Sequence, residues 1–321
     1  MNSESSKQCW IIIHKKQERK NKMLEVHNLR KTFGDVTAVD DIGFKIDKGE
    51  IMGLIGQNGA GKTTTFRMIL DLLTPDQGEV LWKGQALTNR VFNQIGYLPE
   101  ERGLYSKVSI ENQILYFAQL RGKSKKEIKP LIDVWLKKFE VKGKKGDKVK
   151  TLSKGNQQKV QLITTLIHQP ELIILDEPFS GLDPVNADLL EEGIKEAQKN
   201  GASIIFSSHN MNNVEELCDS LIMLKDGKQI LEGSIKEIRE TFGRTKLFLE
   251  SPLTLEELHQ FKGVESARIN KDEIIEVKLN HTEDGKAIFD AATKNGYITT
   301  FSQQPPTLEE IFKQMAGEKH E

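Results

Sequence analysis

The sequence is poor in cysteine and has no long apolar run. Only two cysteines, Cys9 and Cys218, occur in 321 residues. This excludes a disulfide scaffold and a cysteine-based metal site, and it predicts a reducing compartment. No stretch approaches the roughly 18 apolar residues that a membrane helix needs. We therefore predict no membrane-spanning helix within these residues.

An excess of one charge is also missing. The formal net charge is −1 and charged residues make up 29% of the chain, so there is no sign of a nucleic-acid-binding surface. Residues 1–22 are an exception, with six Lys or Arg and two Glu around a short apolar run at 9–13. That run is too short for a signal peptide. We predict a disordered basic tail over 1–22, with contact to a membrane surface as the alternative.

A glycine-rich loop lies between a predicted strand and a predicted helix. Residues 56–63 read GQNGAGKT and follow the apolar segment 51–55, which fits the phosphate-binding pattern G-x-x-x-x-G-K-[ST]. We predict a helix over 62–73, with Lys62 reaching the β- and γ-phosphates of ATP and Thr63 ligating Mg²⁺. The predicted ATP-binding residues of the loop are Gly56, Gln57, Asn58, Gly59, Ala60, Gly61, Lys62, Thr63 and Thr64.

A second segment, which contains two adjacent acidic residues, supplies the groups that hydrolysis would need. Residues 172–178 read LIILDEP, in which four apolar residues predict a buried parallel strand that ends at two carboxylates. Ligands of open α/β sheets bind at such carboxyl ends. We expect Asp176 to hold Mg²⁺ and Glu177 to polarise the attacking water.

Four further motifs occur elsewhere in the chain, in the order that is typical of one ATPase family. LSKGNQQ at 152–158 resembles the LSGGQ signature of the ATP-binding-cassette (ABC) ATPases, and Ser180–Asp183 resembles their D-loop. His209 follows a predicted strand and resembles their switch histidine, while Phe33 resembles the aromatic residue that stacks on adenine. The resemblance covers about residues 23–235.

The resemblance implies a P-loop NTPase cassette with a helical subdomain, acting as a head-to-tail dimer around two Mg-ATP. Glu177, His209 and Lys62 are then catalytic, and Asp183 belongs to the D-loop. The residues that would contact the partner's ATP are Ser153, Lys154, Gly155 and Asn156. Each motif also has a simpler interpretation. Ser153 is a candidate helix cap, Phe33 alone is more often core packing, and a lone His209 is more often a surface residue.

The sequence departs from the usual family pattern in two places, and these departures indicate a subgroup of the family. In IGYLPEER at 95–102, Glu100 stands where the family usually has glutamine, so we treat it as a candidate Mg²⁺ neighbour, with a solvated acidic loop as the alternative. Lys154 and Asn156 replace a glycine and a glutamine of the signature, and we expect activity to survive. Sequences of the GYLPEERGLY type resemble ATPase subunits of ABC-2-type exporters, including the sodium-extrusion group.

The chain is predicted to contain a cassette over 23–240, with its helical subdomain at about 96–165, and a separate domain over 245–321. The order βαββαβ in the last segment favours a small ferredoxin-like α+β domain. Two helices there begin with a capping box, Thr254–Glu257 and Thr307–Glu310. Residues 123–150 hold eleven Lys against four acids. We interpret them as a solvated surface, with a permease or anionic lipid as the alternative contact.

These patterns together predict the ATPase subunit of an ABC exporter, peripheral on the cytoplasmic face of the cell membrane and driving a separate permease. Sodium or another cation, a drug and a peptide all remain candidate substrates. The alternatives are a soluble ABC ATPase acting on nucleic acid or ribosomes, and a purely regulatory binding module. Only 90 residues lie between Lys62 and Ser153, which leaves no room for the coiled coils of the genome-maintenance ATPases. We expect no nucleic-acid partner.

Overall fold

We examined a computed structural model of the full chain. The structure describes residues 11–12, 22–88, 91–101, 103–294 and 296–317. Apart from Lys22 and a two-residue strand at Ile11–Ile12, the predicted disordered tail lies outside the described residues. The chain divides into two compact units, Met1–Gly233 and Ser234–Glu321, whereas the sequence placed this boundary at 240–245.

A seven-stranded sheet forms the centre of the first unit. Its strands are β1 (Ile11–Ile12), β4 (Ile51–Gly56), β7 (Ile95–Leu98), β8 (Leu172–Leu175), β9 (Ser203–Ser208), β10 (Ser220–Lys225) and β11 (Lys228–Ser234). The spatial order is β1-β11-β10-β4-β9-β8-β7, and β10, β4, β9, β8 and β7 pair in parallel. Every residue of β4, β8 and β9 is buried, as the continuous apolar runs predicted.

An antiparallel sheet and a set of helices complete this unit. The strands of the sheet are β2 (Lys22–Phe33), β3 (Val36–Asp47), β5 (Gln77–Trp82) and β6 (Gln85–Ala86), in the order β3-β2-β5-β6. The helices are α1 (Lys62–Ile69), α2 (Ile110–Leu120), α3 (Lys125–Lys138), α4 (Lys154–Leu166), α5 (Pro184–Lys199) and α6 (Met211–Leu217). The apolar face of the antiparallel sheet shares one core with α1 and the parallel sheet.

The helix α1 is shorter than the predicted 62–73. It ends at Ile69, and the chain then turns through Asp71, whose φ is 53°. The amides of Leu72 and Leu73 both bond back to the carbonyl of Arg67. This turn satisfies the terminal carbonyls of the helix.

Among the described residues, the outer edge of β7 is covered by side chains of α4 and of the turn that follows it instead of another strand. His168, Thr165 and Gln161 contact the carbonyls of Ile95, Tyr97 and Pro99 at 3.3 Å each. These side chains recur at helical spacing and the carbonyls recur at every second residue, so one helix face follows one strand edge. The approach is close at Gly96, where a Cβ would lie 2.6 Å from the carbonyl oxygen of Thr165. The edge strand is therefore protected from pairing with other chains.

The second unit is a small α+β domain with a ferredoxin-like topology. Its elements are α7 (Ile235–Thr241), β12 (Lys246–Glu250), α8 (Leu255–His259), β13 (Val264–Ile269), β14 (Ile275–Leu279), α9 (Gly285–Ala292), β15 (Thr300–Gln304) and α10 (Leu308–Ala316). The order in the sheet is β13-β14-β12-β15 and all neighbours are antiparallel. This arrangement confirms the predicted split βαβ order. Both predicted capping boxes, at Thr254 and Thr307, are formed.

Candidate active site

The glycine-rich loop joins β4 to α1. Gly61 has a φ of 101°, and a Cβ there would lie 2.6 Å from the carbonyl oxygen of Ala38, so the position requires glycine. Gly59 also has a positive φ, of 83°, but a Cβ would meet nothing within 4 Å. The first amides of a helix have no intrahelical partner. The loop therefore places N–H groups beside a helix N-terminus, an arrangement that favours binding of a phosphate group.

Lys62 lies across this loop and is almost fully buried, at 6% exposure. Its ammonium group donates to the carbonyls of Gly56 at 2.8 Å and Gln57 at 3.2 Å. The flanking loop residues differ in exposure: Gln57, Asn58 and Gly59 are exposed, Ala60 is buried, and Thr63 and Thr64 are half-buried. The positive charge of Lys62 is thus held where loop amides already favour an anion.

Asp176 follows β8 and is completely buried. One oxygen accepts from the Thr63 hydroxyl at 2.9 Å and the other accepts from the Ser207 hydroxyl at 2.6 Å. A buried carboxylate requires such bonds to stay charged. The contact with Thr63 brings together the two residues that the sequence assigned to Mg²⁺.

Glu177, the next residue, has a strained backbone and an incompletely bonded side chain. Its φ is 48°, in the left-handed region that non-glycine residues rarely adopt. Its amide donates to the Ser207 hydroxyl at 2.8 Å, and its Oε2 lies 2.8 Å from Nδ1 of His209. Its Oε1 is buried and lies 3.7 Å from the Lys62 ammonium, and it has no hydrogen-bond partner among the residues that the structure describes. Lys62, Glu177 and His209 thus lie in one cluster.

Ser207 and Gln158 hold this cluster in place, and sequence reasoning missed both. Ser207 contacts both Asp176 and the backbone of Glu177. It is one of three serines in β9, and the sequence does not distinguish it from Ser203 and Ser208. Gln158 lies on α4 and donates to the carbonyl of Pro178 at 2.8 Å. These bonds fix the backbone that carries Glu177 from two sides.

The donors at the site fit magnesium bound together with a nucleotide. The Thr63 hydroxyl and the Asp176 carboxylate are hard oxygen ligands, and Mg²⁺ in nucleotide sites takes one or two such ligands plus phosphates and water. Within the described ranges, no group of three or more His, Cys, Asp or Glu is arranged to hold a metal by itself. The chemistry of the donors therefore suits an ion that arrives with its phosphates.

Glu100 and Phe33 lie at the margins of the site. Glu100 is exposed, just beyond β7, and the neighbouring strand carries Asp176, whose amide donates to the carbonyl of Leu98 at 2.8 Å. Burial, and then the charges of Asp176 and Glu100, raise the pKa of Tyr97 to about 12. Phe33 is 51% exposed at the end of β2, with the Lys31 ammonium 5.8 Å from its ring centroid. Its exposure rules out the core-packing alternative.

The signature segment opens α4. Ser153 is the N-cap of this helix, which confirms the capping interpretation, and Lys154 is exposed. Gly155 lies close to α5, because a Cβ there would be 3.1 Å from the Asn186 side chain. Asn186 in turn donates to Asp183, the N-cap of α5, and this backbone and side-chain bonding lowers the pKa of Asp183. Among the bonds of the described residues, none joins Ser153 or Asp183 to the Glu177 cluster.

Comparison with known proteins agrees with this geometry. A family model described as "ABC transporter" matches residues 39–180. A protein of Bacillus subtilis, the uncharacterised ABC transporter ATP-binding protein YhaQ, is 42% identical over 93% of this chain and 100% of its own length. This chain belongs to the ABC transporter ATP-binding proteins. It binds ATP with Mg²⁺ and hydrolyses ATP to drive transport.

Further matches extend the comparison to both units. A model described as "ATP-binding protein DrrA1-3-like, C-terminal domain" matches residues 233–316. The linearmycin resistance ATP-binding protein LnrL of B. subtilis is 28% identical over 92% of this chain and 98% of its own length. A solved ATP-binding subunit of an ABC transporter superposes with a TM-score of 0.65 at 33% identity, covering 69% of this chain and 93% of that one. Of the described helices, none combines the length and the apolar character of a membrane span.

Proposed function

We propose that this ABC ATPase powers an exporter, that two copies close around two Mg-ATP, and that they drive a separate membrane permease from the cytoplasmic face. The observation that carries the export direction is the second unit. Its residues 233–316 match a DrrA-like C-terminal domain, and a relative that aligns along nearly the whole chain is named for resistance to linearmycin. The substrate is open; sodium or another cation, a drug and a peptide are the candidates.

Glu177 is the proposed general base. His209 Nδ1 contacts Oε2 of Glu177 at 2.8 Å, whereas Oε1 has no hydrogen-bond partner. Oε1 is therefore the atom that would accept a proton from the attacking water. A base in this position typically contributes 10²–10⁴-fold to the rate.

Lys62 and His209 are proposed to contact the phosphates. Lys62 already lies over the loop and needs only to exchange two carbonyl contacts for phosphate oxygens. A protonated His209 would donate through both ring nitrogens, Nδ1 to Glu177 and Nε2 to the γ-phosphate. Thr63 and Asp176 would hold Mg²⁺, which when bound neutralises negative charge on the phosphate oxygens. Glu100 is a further candidate near this ion.

The remaining predicted contacts also belong to this proposal. Phe33 would stack on adenine, and Gly56 to Thr64 would surround the phosphates. Ser153, Lys154, Gly155 and Asn156 would contact the ATP of the opposite subunit, with Asp183 nearby. These contacts require the dimer.

An exposed aromatic cluster supports contact with a permease. Tyr105 and Tyr116 are 54% and 44% exposed, with ring centroids 5.7 Å apart, and Phe117 lies 5.5 Å from Tyr116. Tyr105 lies with Glu100 in the segment between β7 and α2, so the cluster is close in sequence to the margin of the active site. A change such as Tyr116→Asp should abolish co-purification with the permease while the ATPase activity of the isolated chain persists.

The dimer is tested directly with Glu177→Gln, which should bind Mg-ATP but hydrolyse it slowly. Sedimentation velocity should show a dimer at saturating Mg-ATP and a monomer with ADP. The matched control is Glu177→Gln combined with Lys62→Ala, which should stay monomeric in both. A Glu177→Gln protein that remains monomeric at saturating Mg-ATP would contradict the sandwich. The exporter assignment fails if the chain co-purifies with ribosomes or nucleic acid instead of a multi-span membrane protein.

A further inference from the structure

Asn156, in the first turn of α4, bridges two parts of the chain through its side-chain amide. One end of the amide lies 2.7 Å from the backbone N–H of Lys142, and the other end lies 2.8 Å from the Ser153 hydroxyl. Because a backbone N–H only donates, the atom facing Lys142 has to be the amide oxygen. The nitrogen therefore faces Ser153 and donates to its Oγ. The contact with Lys142 thus fixes which way round the amide sits.

This arrangement determines the direction of the Ser153 proton. Ser153 Oγ accepts from the Asn156 side chain at 2.8 Å and from the Asn156 backbone N–H at 3.4 Å. A hydroxyl with two N–H donors on its lone pairs has to point its own proton elsewhere. In the part of the chain that the structure describes, no acceptor bonds to that proton. It is thus available at an exposed helix N-terminus, where anions are favoured.

A second helix shows that a serine cap followed three residues later by asparagine does not by itself produce the side-chain bond to the serine hydroxyl. Helix α2 is capped by Ser109, whose Oγ accepts from the backbone N–H of Asn112 at 3.3 Å, and the spacing is the same as in Ser153 and Asn156. Across the described ranges, however, no hydrogen bond joins the exposed Asn112 side chain to Ser109. The difference is what the segment after α3 presents to each helix. It brings the N–H of Lys142 to the Asn156 side chain, whereas at the start of α2 it presents the carbonyls of Asp147 and Lys145 to the backbone N–H groups of Ile110 and Glu111.

We propose that Asn156 is a positioning residue for ATP hydrolysis: it holds the Ser153 hydroxyl proton toward the γ-phosphate of the ATP bound by the opposite subunit. The inference rests on the proposed sandwich dimer. It also explains how asparagine serves at the position where the family signature has glutamine, because the shorter amide spans Lys142 and Ser153.

The decisive variant is Asn156→Asp, which changes one atom type and keeps the shape. A carboxylate still accepts from Lys142, but it accepts from Ser153 as well and so turns the hydroxyl proton inward. We expect kcat to fall roughly 10- to 100-fold, the effect of losing one hydrogen bond to a charged group. The affinity of a single subunit for ATP should not change. An acidic residue in the first turn favours the helix, so thermal stability should not fall.

Three further variants separate positioning from other effects. Asn156→Gln keeps a donor and should retain most of the activity, whereas Asn156→Ala releases the hydroxyl and should lose less than Asn156→Asp. The matched control is Asn112→Asp, at the same position of the other serine-capped helix, which should change the ATPase rate less than about twofold. Equal rates for Asn156→Asp and the unaltered protein would overturn the inference.

A double-mutant cycle tests whether Asn156 acts through Ser153. Ser153→Ala alone should lower kcat, and adding Asn156→Asp to it should then have little further effect. If the loss caused by Asn156→Asp is undiminished in the Ser153→Ala background, plain charge repulsion is the cause and the inference is wrong. If Ser153→Ala leaves hydrolysis and ATP-dependent dimerisation intact, the proposed contact across the dimer fails, and the inference fails with it.

Discussion

Each of the two units contains a lysine that lies close to a glutamate, but the two clusters differ in how completely their charges are paired. In the active-site cluster (Lys62, Asp176 and Glu177), the closest approach of Lys62 to Glu177 is 3.7 Å, and Oε1 of Glu177 has no hydrogen-bond partner. In the C-terminal cluster, which consists of Lys246, Glu276 and Glu310, the lysine bonds Glu310 at 2.8 Å and Glu276 at 3.1 Å.

The residues around the two clusters differ in the same way. Arg268 donates to Glu276 at 2.8 and 3.0 Å, and Glu310 accepts from the Thr307 backbone at 2.8 Å. Burial opposes ionisation of both glutamates, yet Arg268 and Lys246 lower the pKa of Glu276, and Lys246 lowers the pKa of Glu310. Glu177 has instead a strained backbone and an unused oxygen. We infer that the paired cluster stabilises its unit, whereas the incompletely paired one keeps atoms available for a reaction.

The largest effect is expected from Glu177→Gln. ATP turnover should fall by roughly 10²–10⁴-fold because the general base is lost, while ATP binding persists. Stability should not fall, since a neutral amide costs less to bury than a carboxylate with an unpaired oxygen. Steady-state phosphate release and thermal unfolding measure the two quantities.

The proposed difference between the clusters would be wrong if this variant hydrolyses ATP at the normal rate or has an unfolding temperature well below that of the unaltered protein. The first result would remove Glu177 from catalysis. The second would show that the active-site cluster stabilises the unit as the C-terminal cluster is expected to do. Asp188→Asn, an acidic residue of α5 outside both clusters, is the matched control.

His168 provides a second incompletely bonded group. Its Nδ1 is buried without a partner, and burial, followed by the positive charge of Arg121, lowers its pKa to about 4. The unfolded chain, with an ordinary value near 6.5, binds a proton first as the pH falls. The free energy of unfolding should therefore decrease between pH 6.5 and about 4, by a total on the order of 3 kcal/mol. Above pH 6.5 the contribution is constant.

The test is His168→Gln, which keeps a donor for the carbonyl of Ile95. Urea unfolding measured from pH 7 to pH 4 should show a shallower loss of stability than in the unaltered protein. His259→Gln, at an exposed histidine in α8, should leave the slope unchanged. Parallel slopes for His168→Gln and the unaltered protein would mean that His168 is accessible to protons in the folded state.

A mutation in the C-terminal cluster should lower stability and leave ATP turnover nearly unchanged, the reverse of the effect expected at Glu177. Lys246→Met removes the cation from two glutamates and should destabilise the chain by about 1–2 kcal/mol, less than a fully buried pair because the cluster is partly solvated. Burial opposes the lysine charge, but the bonds to Glu310 and Glu276 raise the pKa of Lys246. ATP turnover of the isolated chain at 25 °C should stay within about twofold of normal. A loss of activity without a loss of stability would contradict the structural role.

Much of this arrangement was predictable because it depends on local sequence. The strand–loop–helix around Lys62, the caps at Ser153, Thr254 and Thr307, and the order of elements in the second unit all follow from patterns within a few residues. The roles assigned to the site residues remain predictions. So do the domain boundaries.

Contacts that depend on distant segments were not predictable. Ser207 lies in a strand buried on both faces, where no alternation marks the side chain that reaches Asp176. The stripe of Gln161, Thr165 and His168 has meaning only beside the carbonyls of β7. Ser109 and Ser153 head the same four-residue pattern, but only the second is bridged by its asparagine, because Lys142 arrives from another part of the chain.

The smallest effect on stability is expected at Lys278, which can be compared with Lys246 in the same sheet. Lys278 lies directly opposite Lys246 on the neighbouring strand and bonds Glu265 at 2.8 Å, but both partners are about half exposed, at 46% and 50%. An exposed ion pair contributes at most about 1 kcal/mol, and like charges opposite each other are unfavourable. Lys278→Met should therefore change the free energy of urea unfolding by less than about 0.5 kcal/mol. Because Lys246→Met removes the same charge from the same face, equal losses for the two variants would show that charge alone, and not completeness of pairing, stabilises this unit.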